Sequence, residues 1–181
     1  MTTEPLPEFE TERFRLTGFV RADQDFVFRA LSHPQVIAFY GVQYASFEAT
    51  AAQMEWFDTI RREGTGAWWK IVRKADGMPV GSFGYYGHDH GHRKAEIGYW
   101  LLPEYWKQGV VREAGSTLLR HFHYTLHIHR VEALVDLGND NSDRALLGLG
   151  FTCEGVLRDY ERKQGKYLSL RMWSRLSTDK E

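Results

Sequence analysis

The residues around Gly109 have the types and spacing of an anion-binding site. A strand predicted to end at Pro103 is followed by a short loop and then by a long predicted helix that starts at Gly109. The first backbone N–H groups of a helix have no intrahelical partner and lie at the positive end of its dipole, so they attract anions. Lys107 and Arg112 add two cations that could bind phosphate. The same pattern also fits an ordinary loop with two solvated cations, and the residues alone leave both interpretations open.

The stretch His88–His92 is a second group of chemically active side chains, with histidines at alternate positions. Alternate residues of a strand share one face and could hold a metal ion. Gly91 interrupts the stretch, which favours a loop, and we predict that it binds no metal. The single cysteine, Cys153, excludes an internal disulfide and a cysteine-based zinc site.

Length and composition restrict the classes of function. The chain has 181 residues, of which 43% are hydrophobic, enough for the core of one domain. Lys and Arg number 23 against 24 Asp and Glu, so no basic surplus favours nucleic acid or an anionic membrane. The acidic N-terminus lacks the features of a signal peptide, and no apolar run reaches the ~18 residues of a membrane span. We expect a cytoplasmic protein with a single domain over residues 9–176 and short tails at 1–8 and 177–181.

Hydrophobic periodicity and turn residues predict about seven strands and four helices. The predicted strands are 13–19, 68–74, 79–86, 94–102, 130–137, 151–158 and 166–175. The predicted helices are 23–31, a segment between Ser46 and Gly64, 109–126 and 142–149. Hairpins at Asp76-Gly77 and Gln164-Gly165, together with one strand–helix–strand unit, indicate a mixed sheet. The fold class is therefore α/β (α+β), with a mostly antiparallel central sheet flanked by helices.

Helix caps and motifs refine this prediction. Asp23 and Ser142 are candidate N-caps, and Gly150 stands where a helix ends in the left-handed conformation. The GxGxxG dinucleotide fingerprint and the GxxxxGK[ST] phosphate loop are both absent.

The order of elements and the stretch GYWLLPEYWKQG, residues 98–109, resemble the GNAT superfamily of acetyl-CoA-dependent N-acetyltransferases. One branch of that superfamily has a strand and phosphate loop of the form GYWLxPxYWxxG. Gly109 matches the central glycine of the loop, whereas Val111 stands where the family usually has a small residue.

A second set of motifs is similar to the RimJ/RimL-like branch, the ribosomal-protein N-terminal acetyltransferases and their relatives. These motifs are N-x-x-S at Asn139–Ser142, the pair Gly150-Phe151, E-G-x-x-R at Glu154–Arg158, and the opening ETERFRL at residues 10–16. The resemblance covers residues 10–176. It implies a GNAT fold and transfer of an acetyl group from acetyl-CoA to an amine.

The resemblance also implies where acetyl-CoA binds. A bulge is expected to separate strand 96–102 from strand 130–137, with the pantetheine arm between them and a backbone N–H polarising the thioester carbonyl. The residues that the resemblance assigns to the co-substrate are Trp100, Leu101, Leu102, Lys107, Gln108, Gly109, Val110, Val111, Arg112, Asn139 and Ser142.

The catalytic groups follow from the same resemblance. Many GNAT enzymes protonate the departing thiolate with a tyrosine at the position that is Leu146 here, whereas the ribosomal branch uses the serine that matches Ser142. A helix-capping serine needs no further role, so capping is the alternative. Ungapped spacing from Gly150-Phe151 makes Glu161 the first candidate base, ahead of Glu96, which lies on the strand where other GNAT enzymes place theirs. The alternative for both glutamates is that they are ordinary surface charges with no catalytic role.

The acceptor stays open between two kinds of amine. At pH 7.4 roughly a quarter of N-terminal amines are neutral, against about 0.1% of lysine amines, so a peptide N-terminus needs the weaker base. A polyamine would require several carboxylates, which Glu154, Asp159 and Glu161 could supply. We expect a peptide or protein N-terminal amine. The alternatives are a small amine (polyamine, amino acid or antibiotic) and an acyl-CoA-binding module without activity. The resemblance leaves a homodimer open, and Trp68, Trp69, Tyr85 and Tyr86 are expected on sheet faces, some of them beside the acceptor.

Overall fold

The structure is a computed structural model, and it describes residues 5–163 and 165–180. The strands are β1 (Phe9–Glu10), β2 (Phe14–Gly18), β3 (Ala67–Arg73), β4 (Pro79–Asp89), β5 (Lys94–Leu101), β6 (Arg130–Asp136), β7 (Thr152–Lys163) and β8 (Lys166–Leu176). The helices are α1 (Gln24–Leu31), α2 (Pro34–Ile37), α3 (Ala51–Glu63), α4 (Val110–Arg120) and α5 (Asp140–Gly148).

The eight strands form one sheet in the order β1-β2-β3-β4-β5-β6-β8-β7. Only β5 and β6 pair in parallel, since α4 connects them, and every other pair is antiparallel. The predicted mixed, mostly antiparallel sheet is therefore confirmed. The additions to the predicted elements are the two-residue β1 and the four-residue α2, both too short to leave a periodic pattern.

The sheet carries helices on both faces. The buried side of α4, with Val110, Ala114 and Leu118, packs with the sheet residues on one face, and α5 adds Leu146. The helices α1, α2 and α3 pack against the opposite face, where Trp68 and Trp100 lie. Consecutive residues of a strand point to opposite faces, so each face of β3 to β6 presents its own set of side chains.

Helix α5 begins earlier than the sequence predicts, and Ser142 is not its N-cap. Asn139 occupies the cap, and its Oδ1 accepts a hydrogen bond from the Ser142 N–H at 3.3 Å. Asparagine caps a helix as well as serine does, and here Asn139, the earlier of the two residues, is the N-cap. Gly150, with φ of +79°, ends the segment as predicted. Asp23 precedes α1, but its carboxylate binds Lys70 and the Val20 N–H instead of the helix.

Other differences are local. Strand β4 continues to Asp89 through a segment predicted to be a loop, because a register shift between Tyr86 and Asp89 accommodates Gly87. Helix α4 ends at Arg120 and passes into a π-helical turn over His121–Thr125. Gln164 of the predicted hairpin turn lies outside the described residues. Within residues 5–163 and 165–180, no helix has the length and apolarity to cross a membrane.

Candidate active site

The sheet opens between β5 and β6. Their pairing stops after Glu96 and Glu132, although β5 remains bonded to β4 up to Leu101 and β6 to β8 up to Asp136. Only the facing edges of the two strands are therefore left without ladder partners. A cavity of about 1000 Å³ lies along this opening and is lined by residues from both faces of the sheet.

Two N–H groups of β5, those of Tyr99 and Leu101, are available to a ligand in this opening. The Leu102 N–H donates to the Val80 carbonyl at 3.0 Å, on the β4 side. Residues of an antiparallel strand alternate in the direction of their N–H groups, so Trp100 also faces β4 and Leu101 faces the opening. The Leu101 carbonyl accepts a hydrogen bond from the Trp106 indole at 2.9 Å, which fixes the chain where β5 leads into the loop.

One end of the cavity is positively charged. Gly109, with φ of +75°, is the N-cap of α4 and provides no side-chain cap, so the N–H groups of residues 110–112 stay free for a ligand. The exposed side chains of Lys107, Arg112 and Arg144 line this end. Three cations beside a helix N-terminus are suited to phosphate groups.

The N-terminal segment braces this positively charged end of the cavity. The Arg13 guanidinium donates to the Gln108 carbonyl at 3.0 Å and, through Nε, to Glu113 Oε2 at 2.7 Å. Thr11 Oγ1 and the Arg13 N–H both donate to Glu113 Oε1, at 2.6 and 2.7 Å. These contacts connect the start of β2 to the first turn of α4 and to the loop before it. Arg13 is therefore positioned to hold the backbone that would contact phosphate.

Arg13→Met is expected to raise the KM for acetyl-CoA about tenfold, the effect of losing one charge-assisted hydrogen bond, and to change kcat little. The reason is that Arg13 supports the loop but does not line the cavity. Steady-state kinetics with saturating amine measure the two constants separately. Arg61→Met, which removes an ion pair with Asp58 on α3, is the matched control. An equal fall in kcat with unchanged KM would contradict the role.

The other face of the opening carries a buried carboxylate. Glu96 is half-buried, and its Oε1 accepts a hydrogen bond from the Tyr86 hydroxyl. Burial raises the pKa of Glu96, the Tyr86 hydrogen bond opposes this, and the nearby charges of Glu132 and Glu161 raise the pKa further. Burial and the neighbouring Glu96 charge raise the pKa of Tyr86, so it remains a donor. A carboxylate with a raised pKa in a cavity can accept a proton near neutral pH.

Glu161 lines the cavity as well and is exposed. The β7–β8 register shifts between Leu157 and Glu161, and Asp159 in this bulge has φ of +51°. Glu161 is close enough to affect the titration of both Glu96 and Tyr86. The structure therefore brings the two candidate bases to one place.

Ser142 lies on the opposite side of the opening, at the third position of α5. It lines the cavity together with Asn139, and its side chain is a hydrogen-bond partner of the Tyr99 side chain. The Tyr99 hydroxyl donates to the Ser142 carbonyl at 3.4 Å. Leu146 is fully buried in the core and offers no proton.

The cavity includes the three predicted catalytic residues and most of those predicted for the co-substrate. Leu102 and Gln108 lie outside it, since Leu102 is buried in the core and the Gln108 amide donates to the Glu104 carbonyl. Sequence analysis missed several lining residues with polar or charged side chains, among them Tyr99, Asp136 and Arg144. Of these three, only Tyr99 could have been found from the sequence, because it lies within the GYWL motif.

The histidine stretch forms a close pair. The His88 and His90 rings lie 4.0 Å apart, and burial lowers the pKa of His88. Across the described ranges, no cluster of three or more His, Cys, Asp or Glu side chains is arranged to hold a metal ion.

Comparisons with known proteins agree on one family. The model of the family described as "Acetyltransferase (GNAT) domain" matches residues 13–152. An uncharacterized N-acetyltransferase YoaA of Bacillus subtilis is 32% identical over 160 residues, which are 88% of this chain and 90% of that protein. The ribosomal-protein-serine acetyltransferase of Escherichia coli is 28% identical over 85 residues, 47% of this chain and 48% of that protein.

Solved structures give the same fold. The structure titled as RimL, a ribosomal L7/L12 alpha-N-protein acetyltransferase in complex with coenzyme A, superposes with a TM-score of 0.85 at 18% identity. The match covers 94% of this chain and 98% of that one.

Proposed function

The chain belongs to the GNAT acetyltransferase family and is an N-acetyltransferase, and on that premise we propose that it acetylates the N-terminal amine of a peptide or protein from acetyl-CoA. One observation carries the proposal, the separation of charge along a cavity that passes through the opened sheet. Lys107, Arg112 and Arg144 lie at one end, and Glu96 and Glu161 lie at the other. The first end suits a nucleotide phosphate, and the second suits an ammonium group.

The residues of the opening divide the reaction among them. The Leu101 N–H polarises the thioester carbonyl, and Glu96, directly or through a water, takes the proton from the amine. The amine nitrogen then bonds to the carbonyl carbon and the carbon–sulfur bond breaks. Ser142 protonates the departing thiolate and regains a proton from the nitrogen as the amide forms. The bound ammonium therefore loses two protons, one to Glu96 and one that reaches the sulfur by way of Ser142. Lys107 and Arg112 hold the phosphates, and Asn139 contacts the pantetheine arm.

The carboxylate cluster that a polyamine would require is not assembled as the sequence suggested. Glu154 is bound by Arg130 at 2.6 Å and by Ser174, and these contacts hold its pKa at about 2. Neither Glu154 nor Asp159 lines the cavity. This favours an N-terminal amine, and the name of the Escherichia coli relative, a ribosomal-protein-serine acetyltransferase, supports a protein as the acceptor.

The proposal is tested by incubating the protein with acetyl-CoA and an amine, measuring thiol release, and identifying the product by mass spectrometry. Short peptides with free N-termini should release thiol and gain an acetyl group at the N-terminus. Peptides that are blocked at the N-terminus but contain lysine are the control. Faster acetylation of the blocked peptides would contradict the proposed acceptor.

Ser142→Ala is expected to lower kcat about 10²-fold, the low end of a general-acid contribution. Its thermal stability should stay near that of the wild type, because Asn139 caps the helix. Asn139→Ala is the matched variant, and it should lose about 1 kcal/mol of unfolding free energy through the missing cap. Full kcat in Ser142→Ala would show that another donor protonates the thiolate.

A further inference from the structure

The part of the cavity on the α1–α3 face is walled mainly by aromatic rings. We call this part the acceptor pocket, with walls formed by Tyr40, Tyr44, Trp56, Trp68, Tyr86 and Trp100. Glu96 lies on the same face, because it pairs with Tyr86 across β4 and β5. A primary ammonium bound at Glu96 would therefore be surrounded by ring faces and edges.

The walls of the acceptor pocket are held in place by contacts of their own. Trp56 meets Trp68 and Tyr86 edge-on, with centroids 5.8 and 6.1 Å apart. The ring of Trp68 crosses Gly98, where a Cβ would lie 2.8 Å from its Cη2. Any side chain at position 98 would displace the Trp68 ring, so Gly98 is needed for the position of this ring in the pocket.

The outer wall is fixed by a lysine from β7. Lys163 Nζ donates to the carbonyls of Ile37 and Tyr40 at 3.2 and 3.1 Å, and reaches that of Ala38 at 3.4 Å. These bonds hold the loop after α2 against the end of β7. Lys163 also lies near Asp136, whose pKa burial raises while the lysine charge opposes the rise. The charge of Asp136 is thus partly balanced within the protein.

The mouth of the acceptor pocket is apolar although it faces water. Phe39 and Val42 line it with 47% and 38% of their surfaces exposed. Two large apolar side chains at the rim of a cavity gain free energy when a ligand covers them. The charge needed for one ammonium lies at the half-buried Glu96, with Glu161 nearby, and apolar surface follows toward the mouth. A second ammonium of a polyamine would meet that surface.

We propose, resting on the proposed function, that the acceptor carries a large apolar group, preferably aromatic, next to its primary amine. The amine binds at Glu96, and the apolar group lies between Trp56 and Phe39. A peptide with an aromatic or large aliphatic N-terminal residue has this chemistry, and so does an arylalkylamine.

The experiment compares matched acceptors with the full-length protein in the thiol-release assay. The tripeptide amides Phe-Ala-Ala, Leu-Ala-Ala and Ser-Ala-Ala are compared with 2-phenylethylamine and spermidine. We expect kcat/KM for the phenylalanine peptide to exceed that for the serine peptide by at least about tenfold, the effect of burying one aromatic side chain. Comparable rates with 2-phenylethylamine would show that an amine beside an aromatic ring is sufficient for recognition. Acetylation of the phenylalanine peptide but not of 2-phenylethylamine would show that recognition also requires the peptide carbonyl.

Two variants connect this preference to the pocket. Phe39→Ser should lower the ratio of kcat/KM for the phenylalanine peptide to that for the serine peptide several-fold. Tyr124→Ser, which changes a more exposed aromatic outside the cavity, should leave this ratio unchanged. A preference for the serine peptide or spermidine would overturn this inference and leave amine acetylation standing. An undiminished ratio in Phe39→Ser would also overturn it. Binding of acetyl-CoA without acetylation of any amine would instead overturn the proposed function.

Discussion

Glu96→Gln is expected to lower kcat/KM by about 10²- to 10⁴-fold at neutral pH, the contribution of a positioned general base. Glutamine keeps the shape and can still accept the hydrogen bond from Tyr86. It cannot take a proton from the amine. Steady-state kinetics with a peptide amine and saturating acetyl-CoA measure the loss, and the KM for acetyl-CoA should change little because Glu96 lies on the far face from the positively charged end of the cavity.

The pH profile separates this role from a structural one. A base must be ionised to accept a proton, and burial holds the pKa of Glu96 above its ordinary value of 4.5. As the pH is lowered, the wild type should therefore lose activity at a pH above 4.5, where Glu96 becomes protonated. Glu96→Gln should lack this acid limb. Its deficit should shrink at high pH, where more of the amine is already neutral.

Glu161→Gln is the matched control, and it should shift the acid limb of the pH profile where Glu96→Gln should remove it. The charge of Glu161 contributes to the raised pKa of Glu96, so its removal should move the acid limb to lower pH without abolishing it. If instead Glu161→Gln abolishes the limb and Glu96→Gln keeps it, Glu161 is the base, in the order of preference that sequence spacing gave.

Long periodic elements were predictable because their patterns are set within each segment. The strand around Val131 and the helix beginning at Val110 show this, since each buries one regular face of side chains. The start of α5 was not predictable, because Asn139 and Ser142 both suit an N-cap and only the folded chain selects between them. Likewise β1 has only two residues, and pairing with β2 alone defines it as a strand.

The residues grouped at the positively charged end of the cavity were largely predictable, whereas those of the aromatic part were not. Lys107 to Arg112 are consecutive in the chain, so one motif contains them. Arg144 joins them from α5, and the ranking of Glu96 against Glu161 depends on the burial of Glu96, which arises only in the folded chain. Trp56 comes from α3 and Phe39 from the loop after α2, and no spacing in the sequence relates them to Glu96.

Gly109→Glu is expected to weaken acetyl-CoA binding about 10²-fold or more, because two or more charge-assisted hydrogen bonds to phosphate would be lost. The nearest atom to a Cβ at this position is Arg13 Nη2 at 3.6 Å, so a side chain fits, and its carboxylate would lie where phosphate approaches the helix. Since Gly109 has φ of +75°, any other residue strains the backbone, and Gly109→Asn is the matched control because asparagine tolerates this conformation without charge. Calorimetric titration with acetyl-CoA, on variants whose thermal unfolding confirms folding, should show only a several-fold loss for asparagine. Equal losses of affinity in both variants would show that the size of the side chain, and not its charge, weakens binding. Unchanged affinity in the glutamate variant would show that the phosphates of acetyl-CoA do not bind at the start of α4.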